Sequence, residues 1–440
     1  MSALDTSRVP RGHAAPDARE DRVPARLRSA RPVRTELLRG IGPWAGAAVA
    51  LTIWVSMYPK VPQWQGHWTD TTDLLRVVGL LLGGPVAVAV GCWQGGRERR
   101  RGTGDLWTSF PRTRLRRTLP ALAPAALWPL IGYLIGASGC LLATWPYASG
   151  PPPFVSLIAA DAVAIAALGV LGFVAGRLVP WRLAAPALAV VTYVGLGMPM
   201  YTDADARWLN PGIDHFFLWD RPVWWFGPAS AVWTGGLAVA ALLAYAARRR
   251  AVALVPLVLA VAAAVPIART GDAVWRPDPE AARLVCDDGV PRVCVTAVNR
   301  KLLPAVSAAL AGTNAGLRGV PGAPARWIED PRALRAGEVR LLGPADLAVR
   351  DRLPDPAYYA NWAVGALLHG DCDQTSSDGS EGERAAVDVA VRQWLAPRKD
   401  FRWPEAEALL ERLEAMDAER SRAYLARYLA ADDCDEVPVP

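Results

Sequence analysis

Charged positions are spaced along the chain in a way that predicts its architecture. Stretches almost free of Asp, Glu, Lys and Arg recur at about 40–59, 75–96, 118–144, 154–176, 183–201, 226–247 and 251–268. A helix needs about 20 largely apolar residues to cross a hydrocarbon core roughly 30 Å thick, and each stretch is of that order. The fourth qualifies only by starting at Phe154 and carrying Asp161 inside it. The expectation is an all-α polytopic membrane bundle of about seven transmembrane helices, occupying residues 35–270. Gly83, Gly84, Pro124 and Pro129 fall inside it. Membrane helices tolerate such residues because neighbouring groups re-satisfy the freed backbone.

From 271 to 440 short apolar runs between turn residues replace the long ones, as expected of an α+β domain of ordinary size. Arg283–Cys286 and Val293–Val298 flank Asp287-Asp288-Gly289, a hairpin signal. Leu302–Leu310 reads as a helix, and Ala325–Ile328 and Val339–Leu342 as strands. Pro356–His369, Glu383–Ala396 and Pro404–Met416 read as helices. Asp417 is placed to cap a last helix running through Ala431.

Charge gives the bundle a direction. The net charge is +6, and all but three of the 48 basic residues are Arg. Arginines crowd the segment before the first stretch (Arg8 to Arg39), the 97–117 loop, Arg177 with Arg182, and Arg248 to Arg250. The alternate loops are poor in them, with Lys60 in the first and Arg207 and Arg221 in the third. Under the positive-inside rule the N-terminus is cytoplasmic, and seven crossings put 271–440 outside the cell membrane. Arg76 and Arg269 lie at expected helix ends, where snorkelling accounts for them. Residues 1–34, a Pro/Arg/Ala/Asp mixture without an apolar signal-peptide core, read as a disordered basic cytoplasmic tail. Residues 271–440 hold 28 acidic against 21 basic residues. The basic balance therefore records topology, and no nucleic-acid partner is needed to explain it.

Four of the six cysteines, Cys286, Cys294, Cys372 and Cys434, lie in the outer region. An even set on an oxidising side reads as two disulfides. Three pairings are open; the preferred one joins Cys286 to Cys294 across the hairpin and Cys372 to Cys434 near the C-terminal helices. The rival is a zinc site with His369, but no pair has C-x-x-C spacing. Cys92 and Cys140 fall in spans and read as buried small apolar residues.

Signatures of catalysis are missing. The chain has no H-E-x-x-H, G-x-S-x-G or G-x-G-x-x-G, and no phosphate loop of its own. Asp371, Asp373 and Asp378 lie among Ser, Thr and Gly residues and read as a solvated loop, with a cation site as the alternative. The expectation is that the chain is no enzyme and binds no cofactor or metal.

The loop after the second span is more specific. Arg97-Glu98-Arg99-Arg100-Arg101-Gly102-Thr103-Gly104-Asp105-Leu106-Trp107 is followed by Phe110-Pro111-Arg112-Thr113-Arg114. Thr103 or Asp105 can cap a short surface helix, and Leu106, Trp107 and Phe110 would give it an apolar docking face. The order Glu, Gly-Thr, Pro, Arg in this position resembles the coupling segment of ABC-2 type transporter permeases. Thr35-Glu36-Leu37-Leu38-Arg39-Gly40 is similar to the amphipathic elbow helix of that family. The resemblance covers about residues 34–250; a seventh span and the outer domain depart from the common pattern.

The resemblance implies the membrane-spanning subunit of an ABC transporter in the lipid bilayer. ATP would be consumed by a separate ATPase subunit docked on Glu98, Gly102, Thr103, Leu106, Trp107, Pro111 and Arg114. A second permease chain, identical or not, would complete the pathway. The alternative is a membrane-anchored outer binding or sensor protein that transports nothing. Asp161, a carboxylate inside a span, is a pathway candidate, unless its place near the outer end lets it reach interfacial water. The aromatic loop 203–226 reads as interfacial anchoring, with a re-entrant helix as the alternative.

Overall fold

The computed structural model describes residues 37–38, 40–102, 113–202, 204–329, 334–368, 380–398, 403–431 and 438–440. Long apolar sequence folds as helix in the first part of the chain because a helix satisfies its backbone groups within its own segment. Helix α1 covers Gly42–Met57 and runs on through turns at Tyr58–Lys60 and Val61–Trp64. Helices α2 (Trp68–Leu81) and α3 (Gly83–Gly95) form one rod broken at Leu82. Pro85 lacks the N–H that would bind the Leu81 carbonyl, and Gly83 and Gly84 weaken the turn beside it. Then come α4 (Arg114–Thr144), α5 (Val155–Leu178), α6 (Ala184–Gly197), α7 (Phe226–Ala246) and α8 (Leu254–Thr270).

Among the described residues, six helical rods are long and apolar enough to cross a membrane: Trp68–Gly95, Arg114–Thr144, Val155–Leu178, Ala184–Tyr201, Phe226–Ala246 and Arg250–Val274. Helix α1 has 16 residues and packs its buried face on α4. The rod that contains α2 starts at Trp68, well before the apolar stretch suggests, and brings Asp70, Asp73 and Arg76 into the bundle. The elbow is only partly described. Leu37 and Leu38 are helical, and Trp128 Nε1 donates to the Leu37 carbonyl at 2.8 Å; Thr35, Glu36 and Arg39 lie outside the described residues.

Helix α5 is central, with α3, α4 and α7 against it. Glycines set its contact with α3. A Cβ on Gly95 would meet the Phe173 carbonyl oxygen at 2.2 Å, and one on Gly172 the Val88 oxygen at 2.2 Å. Small residues let membrane helices approach closely and gain dispersion contact where lipid supplies no hydrophobic drive. Helices α6 and α8, by contrast, expose Val190, Val191, Val255 and Val258. Cys92 and Cys140 are buried free thiols inside α3 and α4.

The C-terminal region has its own core beneath a four-stranded sheet of order β3-β4-β5-β6: Leu284–Cys286, Arg292–Thr296, Arg326–Ile328 and Glu338–Arg340. The pair β3–β4 is antiparallel and β4–β5–β6 parallel. Val293, Cys294 and Val295 are all buried, as befits a central strand covered on both faces. Asp287 closes the hairpin by accepting from Gly289 N and Val293 N. Cys286 and Cys294 face each other in register and form a disulfide. Cys372 and Cys434, with His369, Asp371, Asp373 and Asp378, lie outside the described residues.

Helices α9 (Leu303–Ala309), α10 (Ala311–Leu317), α11 (Pro356–Val364), α12 (Ser380–Leu395), α13 (Pro404–Glu414) and α14 (Ala418–Ala430) complete the region. Asp417 caps α14 as expected, accepting from Glu419 N and Arg420 N. Two further strands, β1 (Asp220–Pro222) and β2 (Trp275–Pro277), pair antiparallel and join the loop before α7 to the chain just past α8.

Three inter-helix loops meet the C-terminal region. Ser149 Oγ donates to Val298 O at 2.6 Å, Lys301 Nζ to Pro146 O at 2.7 Å, and Arg350 Nε to Gln65 Oε1 at 3.0 Å. Asp278 N donates to Trp219 O at 2.7 Å. The loops around 65, 147 and 219 therefore all lie at the end of the bundle where this region docks.

Candidate functional site

The structure brings charged side chains together inside the bundle. Asp70, Asp73 and Arg76 follow one another at three-residue spacing along α2, so they sit on neighbouring turns. Arg76 is not a snorkelling end residue as its position in the sequence suggests, because its side chain is 0% exposed and that of Asp161 only 1%. Arg76 Nε lies 3.6 Å from Asp161 Oδ1 and donates to Pro211 O at 2.6 Å. Its guanidinium carbon is 5.3 Å from the centre of the Phe226 ring, a cation–π distance. Tyr133, fully buried on α4, donates its hydroxyl to Asp161 Oδ2 at 3.4 Å. Asp161 is thus enclosed by protein side chains rather than set at an exposed helix end.

The same centre holds polar atoms that the protein leaves unmatched. Arg76 Nη1 and Nη2 and both Asp73 carboxylate oxygens are buried with no hydrogen-bond partner among the described residues. Buried polar groups are normally satisfied, and ionisable groups at membrane depth mark functional sites by default. Asp73 escapes a reading of the sequence because the apolar stretch starts two residues after it. The helix that carries it does not.

At the opposite end of the bundle, Glu98 is clamped by Arg177 at the end of α5. Nη2 donates to Oε1 at 2.6 Å and Nη1 donates to Oε2, a two-pronged fork of the strong charge-assisted kind. Arg99 Nη2 donates to the Arg177 carbonyl at 2.6 Å. Gly102 has φ +65° with no described residue within 4 Å of where a Cβ would lie, and Arg114 opens α4 with its guanidinium over the Tyr245 ring. Thr103, Leu106, Trp107 and Pro111 lie outside the described residues.

A third group joins the bundle to the C-terminal region. His67, immediately before α2, binds Asp70 Oδ2 through Nδ1 at 3.1 Å and Asn299 Oδ1 through Nε2 at 2.7 Å. Asn299 Nδ2 donates to Glu329 Oε1, and Thr296 donates to Oε2 from both its backbone N and its hydroxyl. Burial pushes the Glu329 carboxyl up to about 7, against the hydrogen bonds of Thr296 and Asn299 and the charge of His67. Burial pulls the His67 imidazole down, but Asp70, Asn299 and Glu329 outweigh it and hold the group above its ordinary value. No sequence spacing announces this chain of side chains, since its central link joins residues 232 positions apart.

The aromatic loop is divided. Trp208 and Phe226 are buried and meet Trp275 from β2, while Phe216, Phe217 and Trp224 are exposed. The described part of the loop folds as the short 3-10 helix Asp205–Leu209 and strand β1, with no re-entrant helix among its described residues. Trp208 Nε1 donates to Asp272 at 2.8 Å, and His215 stacks on Trp275 with ring centres 4.4 Å apart. Compared with protein-family models, curated proteins and solved structures, the chain finds no match.

Proposed function

We propose that the chain is the membrane-spanning subunit of an ABC transporter, working with a separate ATPase and a second permease chain. In this reading α1 is a seventh crossing, the N-terminus and the 97–117 loop are cytoplasmic, and the C-terminal region is outside. Two features support the sidedness. The loops that touch the C-terminal region are the arginine-poor set, and the Cys286–Cys294 disulfide suits an oxidising compartment.

The observation that carries the proposal is the Glu98–Arg177 fork. It ties the start of the loop that resembles a coupling segment to the end of α5, the helix that brings Asp161 to Arg76. A push on the loop is delivered to a rigid helix with a buried ion pair near its other end. Rocking of α5 against α3 and α4 would then change access to that pair. The hydrogen bonds by which the bundle's loops hold the C-terminal region weigh against the alternative in which the spans are an inert anchor.

Affinity capture of the tagged full-length chain from its native membranes tests this. An ATPase subunit with a phosphate loop is expected to co-purify. Glu98→Ala and Arg177→Met are expected to reduce the recovered ATPase by at least about tenfold, the effect of losing a paired charged contact. Undiminished recovery with both variants would sink the coupling assignment.

A further inference from the structure

Where the bundle meets the C-terminal region there is a cavity of about 490 Å³, within the ordinary range for small-molecule sites of roughly 300–1,000 Å³. Its wall combines two carboxylates, Asp70 and Glu329, with the aromatic side chains Phe216, Phe217 and Trp219. Among the described residues no Lys, Arg or His lines it. Arg350, next to the lining residue Val349, is engaged elsewhere, donating to Gln65 and lying over the Tyr147 ring. The described lining therefore offers two carboxylates beside π faces, with the His67 imidazole bonded to Asp70 from outside the cavity.

The two carboxylates are also the ends of one hydrogen-bonded chain, Asp70–His67–Asn299–Glu329. One end belongs to α2 and the other to the strand region beyond β5. The aromatic wall comes from a third segment, the loop before α7. A molecule seated here touches all three. Phe217 is 60% and Phe216 54% exposed, so these rings are held at the surface rather than packed in a core. A metal ion is a poor fit: among the described residues no three His, Cys, Asp or Glu side chains gather as a ligand set.

From this combination we infer that the cavity binds an amphipathic organic cation, an aryl or alkyl ammonium whose charge meets Asp70 and Glu329 and whose apolar part lies on Phe216, Phe217 and Trp219. Ammonium groups are attracted to aromatic faces by the ring quadrupole, and a carboxylate in a low-dielectric wall strengthens that attraction. This assignment does not rest on the ATPase pairing, and binding is measured on the purified chain alone, so either idea can fail without the other.

Titration calorimetry on the full-length chain in an uncharged detergent tests it. The probes are benzyltrimethylammonium, its anionic counterpart 3-phenylpropionate, and magnesium chloride. Saturable binding of the ammonium is expected, with none of the propionate. Asp70→Asn and Phe217→Ala should each weaken the ammonium by about tenfold, the scale of one charge or cation–π contact. Phe217 is exposed, so Phe217→Ala keeps the test valid should Asp70→Asn disturb the docking. No saturable ammonium binding, equal binding of the propionate, or wild-type affinity in both variants would overturn the assignment. Magnesium binding in place of ammonium binding would overturn it too, making the cavity a metal site.

Discussion

Arg76 occupies a position where a lone charge is very costly, and what keeps it there is Asp161. Taking two ions out of water costs several kcal/mol each even after relaxation, and their attraction offsets this only when both are present. Truncating one partner, as in Arg76→Met, is expected to destabilise the bundle by about 3–5 kcal/mol because Asp161 is left buried and uncompensated. Replacing both, as Arg76→Met with Asp161→Leu, should recover most of that loss, since a well-packed apolar pair of similar volume is often neutral or better. Thermal unfolding of the detergent-solubilised chain reads the comparison. A double variant as unstable as the single would show that the Pro211 and Phe226 contacts, rather than the ion pair, hold Arg76. Asp161 was visible in the sequence as a charge inside an apolar stretch. Arg76 reads there as a snorkelling end residue and Asp73 gives no signal, because the rod that carries them continues beyond the apolar stretch into polar residues that face protein.

At the scale of elements, the α3–α5 contact rests on glycines rather than on large side chains. A Cβ on Gly95 would lie 2.2 Å from a carbonyl oxygen of α5, which only backbone movement can relieve. Gly95→Leu is expected to cost at least about 1–3 kcal/mol, the usual range for overpacking, and to lower the yield of folded protein in membranes. Gly195 in α6 has no described residue within 4 Å of a Cβ, so Gly195→Ala should leave yield and unfolding temperature unchanged. Equal effects of the two substitutions would mean that close helix approach is not what the glycines provide. Elements were well marked where local chemistry decides them. The hairpin announced by Asp287-Asp288-Gly289 forms β3–β4, and the cap expected at Asp417 starts α14. Helix α10 carries no sequence signal, because Gly312, Asn314 and Gly316 give Ala311–Leu317 a poor intrinsic preference and burial of Thr313 and Leu317 overrides it. The parallel pairing of β4, β5 and β6 joins distant strands and leaves no local signature either.

For the whole molecule the decisive contact is the one between bundle and C-terminal region, and its chemistry makes it depend on pH. Glu329 and His67 both bind protons more tightly in the docked protein than when unfolded. A group whose folded pKa is raised contributes stability that is fully present below its unfolded value and is lost as pH rises through the folded one. For Glu329 that loss runs from the ordinary carboxylate value of 4.5 up to about 7. For His67 it begins near 6.5 and ends above it. The groups facing them are Asp70, which favours the imidazolium, and Asn299 and Thr296, which hold the Glu329 oxygens. Docking should therefore be firmest in mild acid and loosen through neutrality. Thermal unfolding of the full-length chain, followed from about pH 5 to about pH 8.5, is expected to show a falling midpoint over this window. Glu329→Gln should flatten the lower part of the fall and His67→Gln the upper part, each because its proton no longer takes part. A wild-type midpoint that is level across the window, or that rises with pH, would remove the two groups as determinants of docking. The fall must also be retained in Arg76→Met, whose altered charge lies in the bundle and away from this junction, if the proton linkage belongs to the docking contact.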